Sequence, residues 1–340
     1  MTRVLVAAIV AMVISIVAGP KFIEFLRRNE LGQHIREEGP EGHVVKQGTP
    51  VMGGLLVVGA AVVAFLVLSQ YSTRGLTVLF VMLGCAAIGF ADDFIKLRHR
   101  RSLGLHGRWK LVLLALITAG VGYAAHRTQL PHLTSLTIPF TSHRIPLSYA
   151  WYPFLFFVIA GAANGVNLAD GVDGLAAGTG IIAIFTFTAM EVIAYIRSAP
   201  NTPSIRDASK LDMAILGAAL IGGLIGFLWY NAFPAEVFMG DTGSMAIGGA
   251  LAGFAIMTKT EVLLLLIGGI FVVEAVSVMI QVFTFKYLGR RVFLMTPIHH
   301  HFEMKAWSET KIMVRFWIAC AIFCAAGFAL YYRYFFSFRT

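Results

Sequence analysis

The sequence predicts an all-α polytopic membrane protein of about ten transmembrane helices, with a small outer hairpin, folded as one domain over 1–340. Three observations lead there. Of 340 residues, 58% are hydrophobic and 13% charged, where a soluble domain carries about 25% charged residues. The mean hydropathy is +0.77. The apolar residues fall in long uncharged blocks and not at the spacing of amphipathic helices or strands. A chain of this length would otherwise suggest two soluble domains, and the blocks exclude that reading.

A hydrocarbon core of about 30 Å needs roughly 20 apolar residues as helix, fewer where the ends sit in the interface. Ten blocks qualify, approximately 4–26, 51–68, 76–91, 111–125, 149–166, 175–196, 213–233, 244–258, 262–286 and 312–336. The first follows Arg3 and has the outline of a signal peptide, but it leads directly into further spans and reads as an uncleaved helix. Cys85, Cys320 and Cys324 all lie inside blocks, where a thiol behaves as a small hydrophobe. They form neither a disulfide framework nor a zinc-ligand spacing. Between the fourth and fifth blocks, alternating Leu136, Ile138 and Phe140 followed by Ile145 and Leu147 predict an outer hairpin over 133–147.

The loops after blocks 1, 3, 5, 7 and 9 hold sixteen Lys and Arg residues; the opposite face, termini included, holds ten, with Arg315 left inside the tenth block. This excess places the odd loops in the cytoplasm and both termini outside. The unusual polar residues obey the same parity. Asp92 and Asp93 follow block 3, Asn167, Asp170 and Asp173 follow block 5, Asp241 follows block 7, and His299, His300 and His301 follow block 9. Five distant loops are thus expected to converge on one cytoplasmic site.

Each constellation has a structural and a chemical reading. Two bare carboxylates beside hydrocarbon are costly, so Asp92 and Asp93 must be paired, hydrated or metal-bound. The adjacent basic residues, Lys96 among them, would satisfy them; so would Mg²⁺ with phosphate. Asn167, Asp170 and Asp173 recur every three residues among glycines, which suits one helix face or a run of Asx turns. Three oxygen-bearing side chains exceed what a turn requires. Asp241, between Gly240 and Gly243, opens the eighth block as a helix cap, a Mg²⁺ ligand, or both. His299, His300 and His301 diverge too much to share one zinc ion and fit better as donors to an anionic substrate. The run Gly48-Thr49-Pro50-Val51-Met52-Gly53-Gly54, with Lys46 ahead of it, lacks the ending of a P-loop and reads as a helix-start loop. Glu274 is an acid in the middle of the ninth block, either functional or structurally paired. Walker, Rossmann, nucleophile-elbow and zincin strings are absent. The result is a face suited to Mg²⁺-dependent chemistry on a phosphate ester, with one reactant from water and one from lipid.

Five strings then carry a resemblance: the glycine run at 48–54, Asp92-Asp93, Asn167-Leu168-Ala169-Asp170-Gly171-Val172-Asp173-Gly174-Leu175, Phe238-Met239-Gly240-Asp241-Thr242-Gly243-Ser244, and Pro297-Ile298-His299-His300-His301-Phe302-Glu303. In this order they resemble the phospho-N-acetylmuramoyl-pentapeptide transferases, the MraY translocases, within the polyprenyl-phosphate N-acetylhexosamine-1-phosphate transferase superfamily. The likeness runs from about residue 20 to 335. The triple histidine followed by Phe302-Glu303 looks like the muramoyl-pentapeptide branch. Val51 and Ala169 stand where the family commonly has Thr, and neither carries the chemistry.

The resemblance implies transfer of phospho-N-acetylmuramoyl-pentapeptide from UDP-N-acetylmuramoyl-pentapeptide to undecaprenyl phosphate, with Mg²⁺ as cofactor and lipid I and UMP as products. It implies a bacterial inner-membrane enzyme of peptidoglycan synthesis, with membrane lipid but no nucleic acid as partner and a homodimer left open. By carry-over, Asp241 holds the metal, Asp92 orients the acceptor phosphate or acts as base, and Asp93 assists either. Lys46, Asn167, Asp170, Asp173, Asn231 and Phe238 look like the nucleotide side, with Phe238 offering a ring to uracil. His299 and His300 join the catalytic set, and His301 and Lys96 bind phosphate or the sugar-peptide. A bend in the long ninth span would open a groove for the polyprenyl tail. A phosphate monoester has its second pKa at about 6, so direct attack needs little base; a two-step route through phosphorylated Asp241 is the alternative. Two rivals are a transferase using UDP-N-acetylglucosamine, which a donor-swap assay separates, and a transporter, whose polar residues would lie at the membrane midplane.

Overall fold

The computed structural model describes residues 1–29, 48–99, 103–127, 134–138, 144–202 and 205–336; Lys46 lies outside them. Each of the ten apolar blocks forms helix. In chain order these are α1 Thr2–Arg28, α2 Gly54–Leu68, α3 Thr73–Arg98, α4 Gly107–Arg127, α5 Trp151–Leu168, α6 Leu175–Ser198, α7 Ala208–Asn231 and α8 Gly240–Thr258. The ninth block is divided into α9 Glu261–Ile267 and α10 Gly269–Leu288; the short α11 Ile298–Glu303 follows, and α12 Glu309–Tyr331 is the tenth block. Among the described residues, eight helices are long and apolar enough to cross a bilayer: α1, α3, α4, α5, α6, α7, α10 and α12. The protein is therefore a multi-pass membrane protein. The α2 helix is shorter, at 15 residues, and α8 is rich in small residues and enclosed by its neighbours.

The helix α8 is the central post, buried from Thr242 to Met257 without interruption. Its longest partner is α3, with α5, α2 and α6 around it, while α1 and α7 form a second close pair and α12 closes against α6 and α9. Lipid tails are as apolar as leucine, so helices associate in a bilayer through close packing of small residues more than through water exclusion. The helix α1 illustrates this. Ala7, Ala11, Ser15 and Gly19 are buried at every fourth position, whereas Leu5, Ile9, Val13 and Val17 are exposed on the other face, one turn apart as helical geometry requires.

The long ninth span, expected to bend, is broken at Gly268, which separates α9 from α10. Two successive glycines, Gly268 and Gly269, provide the weak point, since glycine is among the poorest helix formers. The predicted outer hairpin is present as β1 Ser135–Thr137 and β2 Arg144–Pro146, antiparallel, with Leu136 opposite Ile145. The three cysteines are buried free thiols. Arg315, the charge inside the tenth block, lies with its guanidinium carbon 4.4 Å from the centre of the Trp307 ring, and Lys311 is 4.7 Å from the same ring. Its long side chain thus returns towards the start of α12.

Candidate functional site

The site is built where α3 ends against the start of α8. Gly89 allows the approach: a Cβ there would lie 2.1 Å from the Asp241 carbonyl oxygen. Four residues later, the Asp93 carboxylate turns into the first turn of α8. Its Oδ1 accepts from the Asp241 amide at 3.1 Å, and its Oδ2 accepts from the Thr242 amide at 2.9 Å and the Thr242 hydroxyl at 2.7 Å. A helix start leaves unsatisfied N–H groups, usually capped from the preceding residue. The sequence reading offered Asp241 as that cap. Instead Asp241 lies inside the first turn, Met239 holds the cap position without a side-chain bond, and a carboxylate from another helix satisfies the donors.

Asp92 and Asp241 form a closed ring of alternating charge with two lysines. Lys96 Nζ lies 2.6 Å from Asp92 Oδ2 and 3.2 Å from Asp241 Oδ1. Lys110 Nζ lies 2.9 Å from Asp92 Oδ1 and 3.1 Å from Asp241 Oδ2. The Leu105 amide also donates to Asp92 Oδ1, at 2.8 Å. The basic-neighbour reading thus holds for Asp92, which two ammoniums neutralise, while Asp93 is satisfied by the α8 donors, and the carboxylates stay compact. One oxygen each from Asp92, Asp93 and Asp241 lie within 4.8 Å of one another. An all-oxygen donor set of this size suits a hard divalent cation better than a thiolate- or imidazole-seeking metal. The Asp241 side chain is 15% exposed and that of Asp92 2%, so Asp241 is the more accessible of the two carboxylates.

The loops after blocks 1, 5 and 7 join this centre. Residues 48–54 and 238–240 form a short ladder: Phe238 N donates to Pro50 O at 2.8 Å, Gly53 N to Phe238 O at 2.8 Å and Gly54 N to Met239 O at 2.9 Å. A Cβ on Gly54 would lie 2.2 Å from Gly243 N, so this glycine lets α2 begin directly against α8. Asn167 Nδ2 donates to Ser244 Oγ at 3.0 Å. Asp170 has its pKa raised well above the usual carboxylate value, first by desolvation and then by the negative charges of Asp241, Asp93 and Asp173. Asp173 and Asn231 are buried and brace the loops: Asp173 Oδ2 accepts from Ala235 N at 3.0 Å, Asn231 Oδ1 accepts from Gly174 N at 3.1 Å, and Asn231 Nδ2 donates to Val237 O at 2.9 Å. Phe238 is half-buried.

The three histidines diverge, as consecutive side chains must. His299 is enclosed, with Nδ1 3.0 Å from Glu274 Oε1; this is the partner of the mid-span acid. His300 pairs with Glu303 through Nδ1. His301 Nδ1 accepts from the Leu294 amide at 3.1 Å. Desolvation and then the Lys305 charge hold the His301 pKa below its ordinary value, which keeps that nitrogen free to accept.

Sequence reasoning counted Lys110 among the basic residues without singling it out, and did not foresee that Thr242 would be held by Asp93. The available signal for Lys110 was a lysine opening an apolar block immediately after the aspartate-bearing loop.

Residues 75–259 match the family described as glycosyl transferase family 4. Over nearly its full length the chain is also similar to proteins named phospho-N-acetylmuramoyl-pentapeptide-transferase. It is 44% identical over 343 residues to that of Rubrobacter xylanophilus, with 99% of each chain covered. With that of Desulfitobacterium hafniense it shares 44% over 331 residues, covering 97% of this chain and 98% of the relative. With that of Desulforamulus reducens it shares 46% over 333 residues, covering 96% and 95%.

Proposed function

Because the chain belongs to glycosyl transferase family 4 and, within it, to the phospho-N-acetylmuramoyl-pentapeptide-transferases, we propose that it moves phospho-N-acetylmuramoyl-pentapeptide from its UDP ester to undecaprenyl phosphate. UMP leaves and lipid I forms, a step of peptidoglycan synthesis. The observation that carries the mechanism is the ring of Asp92, Lys96, Asp241 and Lys110 at the ends of apolar helices. A water-soluble anionic sugar nucleotide and a polyprenyl phosphate confined to the bilayer can meet only near such a boundary. We assign this face to the cytoplasm and the protein to the bacterial inner membrane, on the excess of basic residues in the odd loops.

Positioning and charge neutralisation dominate phosphoryl transfer. Asp241 would hold Mg²⁺ against the donor diphosphate, with Asp92 beside it, and the ion would supply neutralisation of the developing charge. Asp92 orients the acceptor phosphate, whose oxygen attacks the β-phosphorus of the donor while UMP departs. The Lys96 and Lys110 ammoniums, already shared between the two carboxylates, neutralise phosphate oxygens. Asp93 keeps the first turn of α8 in place, and with it Asp241. Lys46, Asn167, Asp170, Asp173 and Asn231 shape the nucleotide side, Phe238 presents its ring to uracil, and His300 and His301 bind phosphate or the sugar-peptide. The break at Gly268 lets α10 diverge, with Val276, Met279, Phe283 and Tyr287 exposed along it, and this face accepts the polyprenyl tail.

The test is lipid I formation and UMP release by purified protein in detergent, with and without Mg²⁺, comparing wild type with Asp241→Ala. Turnover that persists without a divalent cation removes the metal from the mechanism. Preference for UDP-N-acetylglucosamine would move the chain to another branch of the superfamily.

A further inference from the structure

The ninth apolar block contains a carboxylate that the reaction as described does not use. Glu274 is fully buried on α10, and its Oε1 lies 3.0 Å from His299 Nδ1 on α11. A carboxylate inside a bilayer-crossing helix is costly unless paired, and pairing with the imidazole satisfies one of its oxygens. The other oxygen, Oε2, and the far imidazole nitrogen, Nε2, are both buried and without a hydrogen-bond partner. That nitrogen is pressed against the loop between α5 and α6: a Cβ built on Gly171 would lie 2.3 Å from it. The imidazole therefore fills the space that a side chain at residue 171 would take.

A carboxylate bonded to one imidazole nitrogen fixes the orientation of the ring and hence the position of the other nitrogen. We infer that Glu274 is a positioning residue: through His299 it sets the placement of the 167–173 loop, and so of the nucleotide end of the donor. His299, enclosed as it is, acts by bracing that loop and not by touching the reacting phosphates. This rests on the reading of the 167–173 loop as the nucleotide side. The pair explains why an acid is kept in the middle of a lipid-exposed span, why the first histidine is buried while its neighbours are less so, and why residue 171 lacks a side chain.

The experiment uses the full chain in detergent. Initial rates are measured with the UDP donor and the polyprenyl phosphate varied in turn, for Glu274→Ala, Glu274→Gln, His299→Ala and the Glu274→Ala/His299→Ala double variant, alongside Tm. Glu274→Ala is expected to raise the KM for the donor about tenfold or more, leaving the KM for the polyprenyl phosphate within about twofold. Glu274→Gln, whose amide oxygen still accepts from Nδ1–H, recovers most of the donor KM. The double variant costs no more than the worse single one, as expected of residues acting in series. A fall in Vmax with both KM values unchanged would mark the pair as merely structural and overturn the inference. So would a shift in the acceptor KM, or losses that add. Should Glu274→Ala fail to fold, Gly171→Ala carries the same test, because its Cβ displaces the imidazole: a raised donor KM alone supports the brace, and any other pattern refutes it. A wild-type protein that releases no UMP would refute the transferase reading itself, a result distinct from all of these.

Discussion

The contact between α3 and α8 sets the distance between the carboxylates, and Gly89→Ala tests this directly. The new Cβ would lie 2.1 Å from the Asp241 carbonyl oxygen, 2.4 Å from its carbonyl carbon and 2.6 Å from Thr242 N. All three are backbone atoms and cannot rotate away. Ordinary contact begins at 3.4 Å, so the helices must part by about 1 Å or bend locally. Overpacking of this kind costs about 1–3 kcal/mol, which a protein of this size can survive. The functional cost is larger. Asp92 and Asp93 travel with α3 and Asp241 with α8, so the whole displacement falls on the carboxylate group, and a misplacement of about 1 Å can cost about a hundredfold in rate. The assay is UMP release at saturating substrates and Mg²⁺, with Tm measured in parallel. Gly59→Ala is the control, since nothing lies within 4 Å of its Cβ and its activity should match wild type. Gly89→Ala retaining more than half the wild-type rate in folded protein would refute the argument that this seam sets the catalytic geometry.

The other predictions separate the roles of the charged groups. Asp93→Ala strands three donors at the start of α8 and should destabilise the fold by about 3 kcal/mol or more, whereas Asp241→Asn should abolish turnover with little change in Tm; equal Tm losses would erase the distinction. Lys110→Ala removes one of two ammoniums shared by Asp92 and Asp241 and should lower kcat by about a hundredfold, read from single-substrate saturation curves; a change in KM alone would place Lys110 outside the transition state. Asp170 binds its proton more tightly in the folded chain than in the unfolded one, so in EDTA the stability of the protein should fall as pH rises from the unfolded carboxylate value through the higher folded value, and level off above it. Asp170→Asn should flatten that slope and raise Tm at neutral pH; an unchanged Tm–pH curve would show that desolvation and the neighbouring carboxylates do not act on it.

Much of the architecture was legible because membrane insertion is written in composition. Long uncharged blocks must become helices where no water can satisfy the backbone, and all ten did so. The loops after blocks 1, 5 and 7 do meet the end of block 3 around Asp92, Asp93 and Asp241, whereas the histidine loop reaches the 167–173 loop, with His299 against Gly171. The outer hairpin was readable from the alternation that pairs Leu136 with Ile145. The break at Gly268 was less legible, because glycines are common in membrane helices and only packing decides which of them interrupts one.

The sequence by itself determined the helices and the family, because each depends on local composition or on short strings kept in order. Only the tertiary structure decided how the polar groups divide the work. Asp92 and Asp93 are adjacent and chemically identical, yet one joins two lysines and Asp241 in a charged ring while the other caps a helix that begins 147 residues later. Glu274 and His299 lie on separate elements and meet only in the folded bundle. Side-chain roles of this kind are set by which donors and charges lie within hydrogen-bond reach, and that distance is a property of helix packing that adjacent positions in the chain do not record.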